Sequence, residues 1–123
     1  MEKHFDKVSF KFKIWLETDA GEGVLGEGKY ILLKTIEETG SLKQAIEILG
    51  LSYRKTWDKL RKIEDTLGFH LIERQRGGAS GGSSGLTNEG KRFVQVFGSF
   101  EEAYGKQVQD YLNEMTKKLR EPL

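Results

Sequence analysis

The chain has 123 residues, of which 32% are charged and 37% hydrophobic, with a net charge of +1 and no cysteine. Those values fit one globular domain with a modest core rather than a disordered chain. They exclude disulfides, thiolate zinc sites, thiol nucleophiles and any case for nucleic acid resting on global charge.

Residues 8–17, VSFKFKIWLE, alternate Val8, Phe10, Phe12, Ile14 and Leu16 with Ser9, Lys11, Lys13, Trp15 and Glu17. Period two over this length predicts a half-buried strand. Trp15 interrupts the polar face and is expected to cover a neighbouring loop. DAGEG at 19–23 reads as a turn. From Glu27 to Thr39, Tyr30, Leu33 and Ile36 with the adjacent Ile31 and Leu32 predict a first helix that Gly40 ends. Ser41, with Gln44 three residues on, starts a second helix as a capping box. Leu42, Ala45, Ile46 and Leu49 should line its buried side, and Gly50 closes it.

The stretch from Ser52 to Gly68 is a capped helix. Ser52 precedes the first turn and Gly68 follows the last. Tyr53, Trp57, Leu60, Ile63 and Leu67 recur at helical spacing, while Arg54, Lys55, Asp58, Lys59, Arg61 and Lys62 fall on the opposite side. Residues 1–40 sum to −2, 41–50 to zero, 51–76 to +3 and 77–123 to zero, so the positive excess is local. A basic helix face is open to two readings, a solvated surface or a nucleic-acid contact. A short helix, a tight turn and a longer basic helix form the layout of a helix-turn-helix, whose second helix enters the DNA major groove.

After Gly68, Phe69-His70-Leu71-Ile72-Glu73-Arg74 predicts a short strand, and Leu86-Thr87 a return strand. Between them QRGGASGGSSG reads either as the tip of a wing, spanning 73–86, or as a flexible linker. Glycines let backbone lie close to another surface, and Arg74 and Arg76 stand at the base to meet phosphates. No Gly-Lys-Ser or Gly-Lys-Thr follows, so this is not a nucleotide phosphate loop.

Thr87 should cap a final helix of about 88–119. Phe93, Phe97, Phe100, Tyr104, Val108, Tyr111, Met115 and Leu119 recur at three or four residues. Such a helix runs on the order of 48 Å, more than the domain is expected to cover, so its stripe calls for the same helix of a second copy. Packing of its first half on the domain, with the rest frayed, is the alternative. His4 and His70 are isolated, with no nucleophile beside a base and no metal-ligand spacing, so neither an enzyme, a metal site nor a cofactor is expected. His70 reads as a partly buried packing residue. The chain shows no membrane span and no apolar signal core, and the expectation is a cytoplasmic protein.

Several runs resemble a known family. Glu38-Thr39-Gly40-Ser41, Ser52-Tyr53-Arg54-Lys55-Thr56-Trp57, Glu73-Arg74-Gln75-Arg76-Gly77-Gly78 and Leu86-Thr87 followed by Gly90 are similar to the N-terminal DNA-binding domain of the molybdate-responsive ModE regulators. More distantly, Ile63-Glu64-Asp65-Thr66-Leu67-Gly68 and Leu71-Ile72-Glu73-Arg74 resemble a LysR-type pattern. The resemblance covers about residues 8–112.

It implies a mainly α chain with a small β component: a winged helix-turn-helix DNA-binding domain at 1–87, with an N-terminal strand, and a dimerisation helix at 88–123. Full-length members of that family carry C-terminal molybdate-binding domains, and the chain ends at Leu123, so no molybdate response is carried over. The DNA-binding candidates are then Ser41, Ser52, Tyr53, Arg54, Lys55, Asp58, Lys59, Arg61, Lys62, Arg74, Arg76, Gly77 and Gly78. The dimerisation candidates are Phe93, Phe97, Phe100, Tyr104, Val108, Tyr111 and Met115. The expected partners are double-stranded DNA, as an inverted repeat, and a second copy of the chain. The competing expectation is a winged-helix module for protein contacts, which needs no basic face.

Overall fold

The computed structural model describes residues 4–74 and 84–123, with the side chains of Arg74 and Ser84 outside the description. In chain order the elements are β1 (Trp15–Glu17), β2 (Gly23–Gly26), α1 (Glu27–Thr39), α2 (Leu42–Leu49), α3 (Tyr53–Leu67), β3 (Ile72–Arg74), β4 (Ser84–Leu86) and α4 (Asn88–Leu119). The strands form two antiparallel pairs, β1 with β2 and β3 with β4.

The chain divides into two compact units, Ile14–Phe97 and the described part of Met1–Lys13 with Gly98–Leu123. The core lies in the first. Leu32, Leu33 and Ile36 of α1, Leu42, Ala45 and Ile46 of α2, and Leu60 of α3 are buried together, closed off by Leu71, Ile72, Leu86 and Val94. Ala45 has no exposed surface, and its single methyl lets α2 lie close to its neighbours. Three helices around one core with a β-hairpin after the third make a winged helix-turn-helix, as the helical periods and glycine stops foretold.

In the second unit the N-terminal segment lies against the last turns of α4 through polar contacts. The Phe10 amide donates to Thr116 Oγ1 at 2.9 Å. The Arg120 guanidinium donates to the carbonyls of Phe5 (3.2 Å) and Val8 (2.8 Å).

This overturns one expectation. The strand foreseen over 8–17 exists only at Trp15–Glu17, and its apolar set is not half-buried: Val8, Phe10, Phe12 and Leu16 are all exposed. A strand needs a ladder, and β2 supplies four residues with a register irregularity between Leu16 and Glu17. Residues 8–13 satisfy part of their backbone with the side chains of Thr116 in α4 and Arg120 just after it instead. Trp15 is itself half-exposed; its ring lies beside Gly23, its Cβ beside Gly26, and its Nε1 donates to Glu17 at 2.8 Å.

Candidate nucleic-acid interface

The helix-turn-helix is built by its caps. Ser41 Oγ accepts from the Gln44 amide at 3.2 Å and starts α2. Gly50 ends it with φ at 66°, a left-handed conformation that costs a residue with a Cβ. There the Gly50 amide returns to Glu47 and the Leu51 amide to Ile46. Ser52 Oγ then accepts from the Lys55 amide at 3.3 Å and opens α3. Helix stop and helix start are thus three residues apart, which fixes how α3 leaves α2.

Along α3, Leu60 is fully buried, Thr56 and Glu64 are nearly so, and Trp57, Ile63 and Leu67 pack partly against the core. Arg54, Lys55, Asp58, Lys59, Arg61 and Lys62 are all exposed, as are Ser52 and Tyr53. Among the described residues the Lys or Arg within ion-pair reach of a carboxylate is Lys106, beside Asp110, so the cations of α3 are not committed to carboxylates. Five cations on one side of the helix, within about two and a half turns, present a surface suited to phosphate. Tyr53 departs from the inward stripe: it is 53% exposed and meets Trp57 edge-on at 6.5 Å, at the N-terminal end of the helix beside Arg54. Ser41 does not join this surface, being buried with its hydroxyl used as a cap.

One contributor escaped the sequence reading. Lys29, in the first turn of α1, is partly buried, and burial together with the nearby Lys59 ammonium holds its pKa below the usual lysine value. A second positive charge therefore stands beside the basic face of α3. Nothing in the spacing of α1 announces it, since the contact joins two helices distant in sequence.

The wing base is formed by pairing of Ile72 with Leu86, Glu73 with Gly85 and Arg74 with Ser84. Arg74 thus lies in β3, while Arg76, Gly77 and Gly78 fall outside the described residues. His70 is not the packing residue expected: its side chain is 81% exposed, with Nδ1 at 3.4 Å from Glu64 Oε1. Glu64 is the buried member of that pair. Leu60, Glu64 and Leu67 are four and three apart, so a carboxylate on the inward stripe was the available signal for it. Among the described residues no group of three His, Asp or Glu stands close enough to hold a metal ion. Nor is any described helix long and apolar enough to cross a membrane.

The stripe of α4 divides. Phe97 is buried in its own chain, stacked on Tyr30 at a ring distance of 4.7 Å, and Phe93 packs against the same core. Phe100 lies between the Phe12 ring at 6.4 Å and the Tyr104 ring at 5.9 Å. Tyr104, Tyr111 and Met115 are exposed, and Val108 is partly so. On this stripe the first turns of α4 serve the core, and the later ones offer exposed Tyr104, Tyr111 and Met115.

Comparison with known proteins places these features. The family model for bacterial regulatory helix-turn-helix proteins of the lysR family matches residues 30–91, from α1 through the first turn of α4. The chain is 32% identical over 110 residues to the molybdenum transport protein ModE of Azotobacter vinelandii, covering 87% of this chain and 40% of that protein. It is 38% identical over 66 residues to the transcriptional regulator ModE of Yersinia pestis, covering 54% of this chain and 25% of that one. It is 29% identical over 87 residues to the molybdenum-pterin-binding protein MopB of Rhodobacter capsulatus, covering 71% and 32%. The chain thus spans between a quarter and two-fifths of these curated relatives, and the molybdenum in their names describes those proteins.

Proposed function

The chain belongs to the lysR family of bacterial regulatory helix-turn-helix proteins, and we propose that it is a cytoplasmic, sequence-specific regulator of transcription that binds double-stranded DNA as a homodimer. One observation carries the reading: the exposed, unpaired cations of α3 sit on a helix whose other side is anchored in the core. Arg54, Lys55 and Lys59 occupy the first two turns, nearest the bases if α3 enters the major groove by its N-terminus. Of these, Arg54 is the residue for a bidentate contact to a guanine edge. Lys29, Arg61 and Lys62 suit phosphates, and Arg74 at the wing base holds backbone. Ser52 Oγ serves as the cap of α3 and Ser41 is buried, so neither is given a base to read.

The homodimer rests on Tyr104, Tyr111 and Met115, large exposed residues on one long helix. Two-fold symmetry of the protein then asks for an inverted repeat in the DNA. In vitro selection from a random duplex library tests both points. The expected product is a site of two matching inverted half-sites. Enrichment of no sequence would overturn specific reading, and enrichment of a single half-site would overturn the dimer.

A further inference from the structure

The backbone at residues 70–72 is held from two sides. Glu64, only 8% exposed, turns its carboxylate from α3 toward the start of β3. Its Oε2 accepts from the amides of Leu71 at 2.6 Å and Ile72 at 3.1 Å. On the other side, the Thr87 hydroxyl donates to the His70 carbonyl at 2.7 Å, and the Thr87 amide donates to the Leu71 carbonyl at 2.9 Å. Thr87 is itself fixed by the Gly90 amide, which donates to its Oγ1 at 3.1 Å.

A carboxylate is an expensive group to bury, and among the described residues no cation is buried with it: His70, beside it, lies on the surface, and Arg61 is exposed. Apolar packing of Leu71 and Ile72 would hold the strand to the core without such a group. What the carboxylate adds is direction. Two charge-assisted bonds converge on a single oxygen, and they fix where β3 begins along the axis of α3. Arg74 follows Ile72 by two residues in the same strand, so the course of its backbone starts from the point that Glu64 holds.

We propose that Glu64 is the positioning residue of the wing: its buried carboxylate locks β3 to α3, so that Arg74 and the basic face of α3 meet one DNA duplex as a single surface. This rests on the DNA-binding reading above.

The test is a double-mutant cycle on a selected duplex, read by fluorescence anisotropy across a salt series. Arg74→Ala in the wild-type background should lower the salt slope of binding by about one, the loss of a single phosphate contact. Glu64→Leu should lower the slope by the same amount, and Arg74→Ala should then have no further effect. Glu64→Gln should keep the wild-type slope, because its amide oxygen can accept both amides and its NH2 falls on the side of the exposed His70 ring. A loss of stability alone would reduce the active fraction and leave the slope unchanged.

If Arg74→Ala lowers the slope equally in both backgrounds, or Glu64→Leu leaves it unchanged, the proposal is overturned while DNA binding stands. If Arg74→Ala has no effect on the wild-type slope, the wing has no phosphate to place and the proposal fails with it. Absence of wild-type DNA binding overturns both readings. Should Glu64→Leu fail to fold by circular dichroism, Thr87→Val gives the same comparison from the other side of the strand. There a full Arg74 effect overturns the proposal and a diminished one supports it.

Discussion

The substitution of alanine for glycine in a helix is ordinarily stabilising, and α4 contains two sites where the structure sets opposite signs. A Cβ built on Gly90 would stand 2.6 Å from the Leu71 carbonyl oxygen and 3.4 Å from Leu86 Cβ. The first distance is 0.4 Å inside the 3.0 Å that Cβ contacts keep, and the obstacle is backbone already bonded to the Thr87 amide. Either the first turn of α4 or the start of β3 must move. Overpacking of this kind costs about 1–3 kcal/mol. The helix-propensity gain is at most about 1 kcal/mol, and less in a first turn. Gly90→Ala should therefore lose about 1–2 kcal/mol.

At Gly105 a Cβ would meet only the carboxylate tip of Glu101, at an ordinary 3.5 Å. Gly105→Ala should gain about 0.5–1 kcal/mol. Urea denaturation followed by tryptophan fluorescence measures both, as shifts of midpoint at constant slope. On thermal melting the two variants should move apart by on the order of 4 °C per kcal/mol. A Gly90→Ala protein as stable as wild type would refute the close packing of α4 on β3. A destabilised Gly105→Ala protein would mean that another chain approaches α4 there.

Three further outcomes are expected. Tyr104→Glu combined with Tyr111→Glu should yield monomers by light scattering at micromolar concentration, and a wild-type monomer under those conditions would sink the dimer. Arg54→Ala should lose roughly 1–3 kcal/mol on a selected site and relax one base position, with little change on random DNA; equal loss on both would make Arg54 a backbone contact. Lys29→Met should raise stability at neutral pH yet lower the salt slope of DNA binding. The sign follows from the depressed pKa: the folded chain holds that proton less tightly, so the charged form destabilises the fold below the folded pKa, and the penalty fades as pH rises toward 10.5. A stability gain for Lys29→Met that persists above pH 10.5 would assign the effect to packing instead.

Most of the helical frame was legible because helix signals are local. Ser41 and Ser52 bond to amides three residues on, and Gly40, Gly50 and Gly68 stop the helices within their own turns. The bounds of α1 and α4 follow from the same kind of short-range information. The N-terminal strand was misread because period two reports only which residues share a face. It does not report whether a partner strand exists, and at residues 8–13 the backbone is held in part by Thr116 and Arg120, more than a hundred residues away. Phe93 and Phe97 illustrate the same limit on a helix: their spacing matches Tyr104 and Tyr111, yet Tyr30 and the core had already claimed them.

The candidate site was legible on its exposed side and hidden on its buried side. Outward cations can be read from spacing alone, since solvent requires no partner of them. A carboxylate on an inward stripe cannot, because its meaning depends on which donors face it. Glu64 faces the amides of Leu71 and Ile72, where β3 begins, and Gly90 brings α4 against the Leu71 carbonyl. Recognition helix, wing and final helix therefore meet at three consecutive residues, His70, Leu71 and Ile72. A change at any of them should alter how the α3 cations and Arg74 are presented together. On the proposed function, the basic residues decide how strongly the chain holds DNA, and this junction decides whether they hold it as one surface.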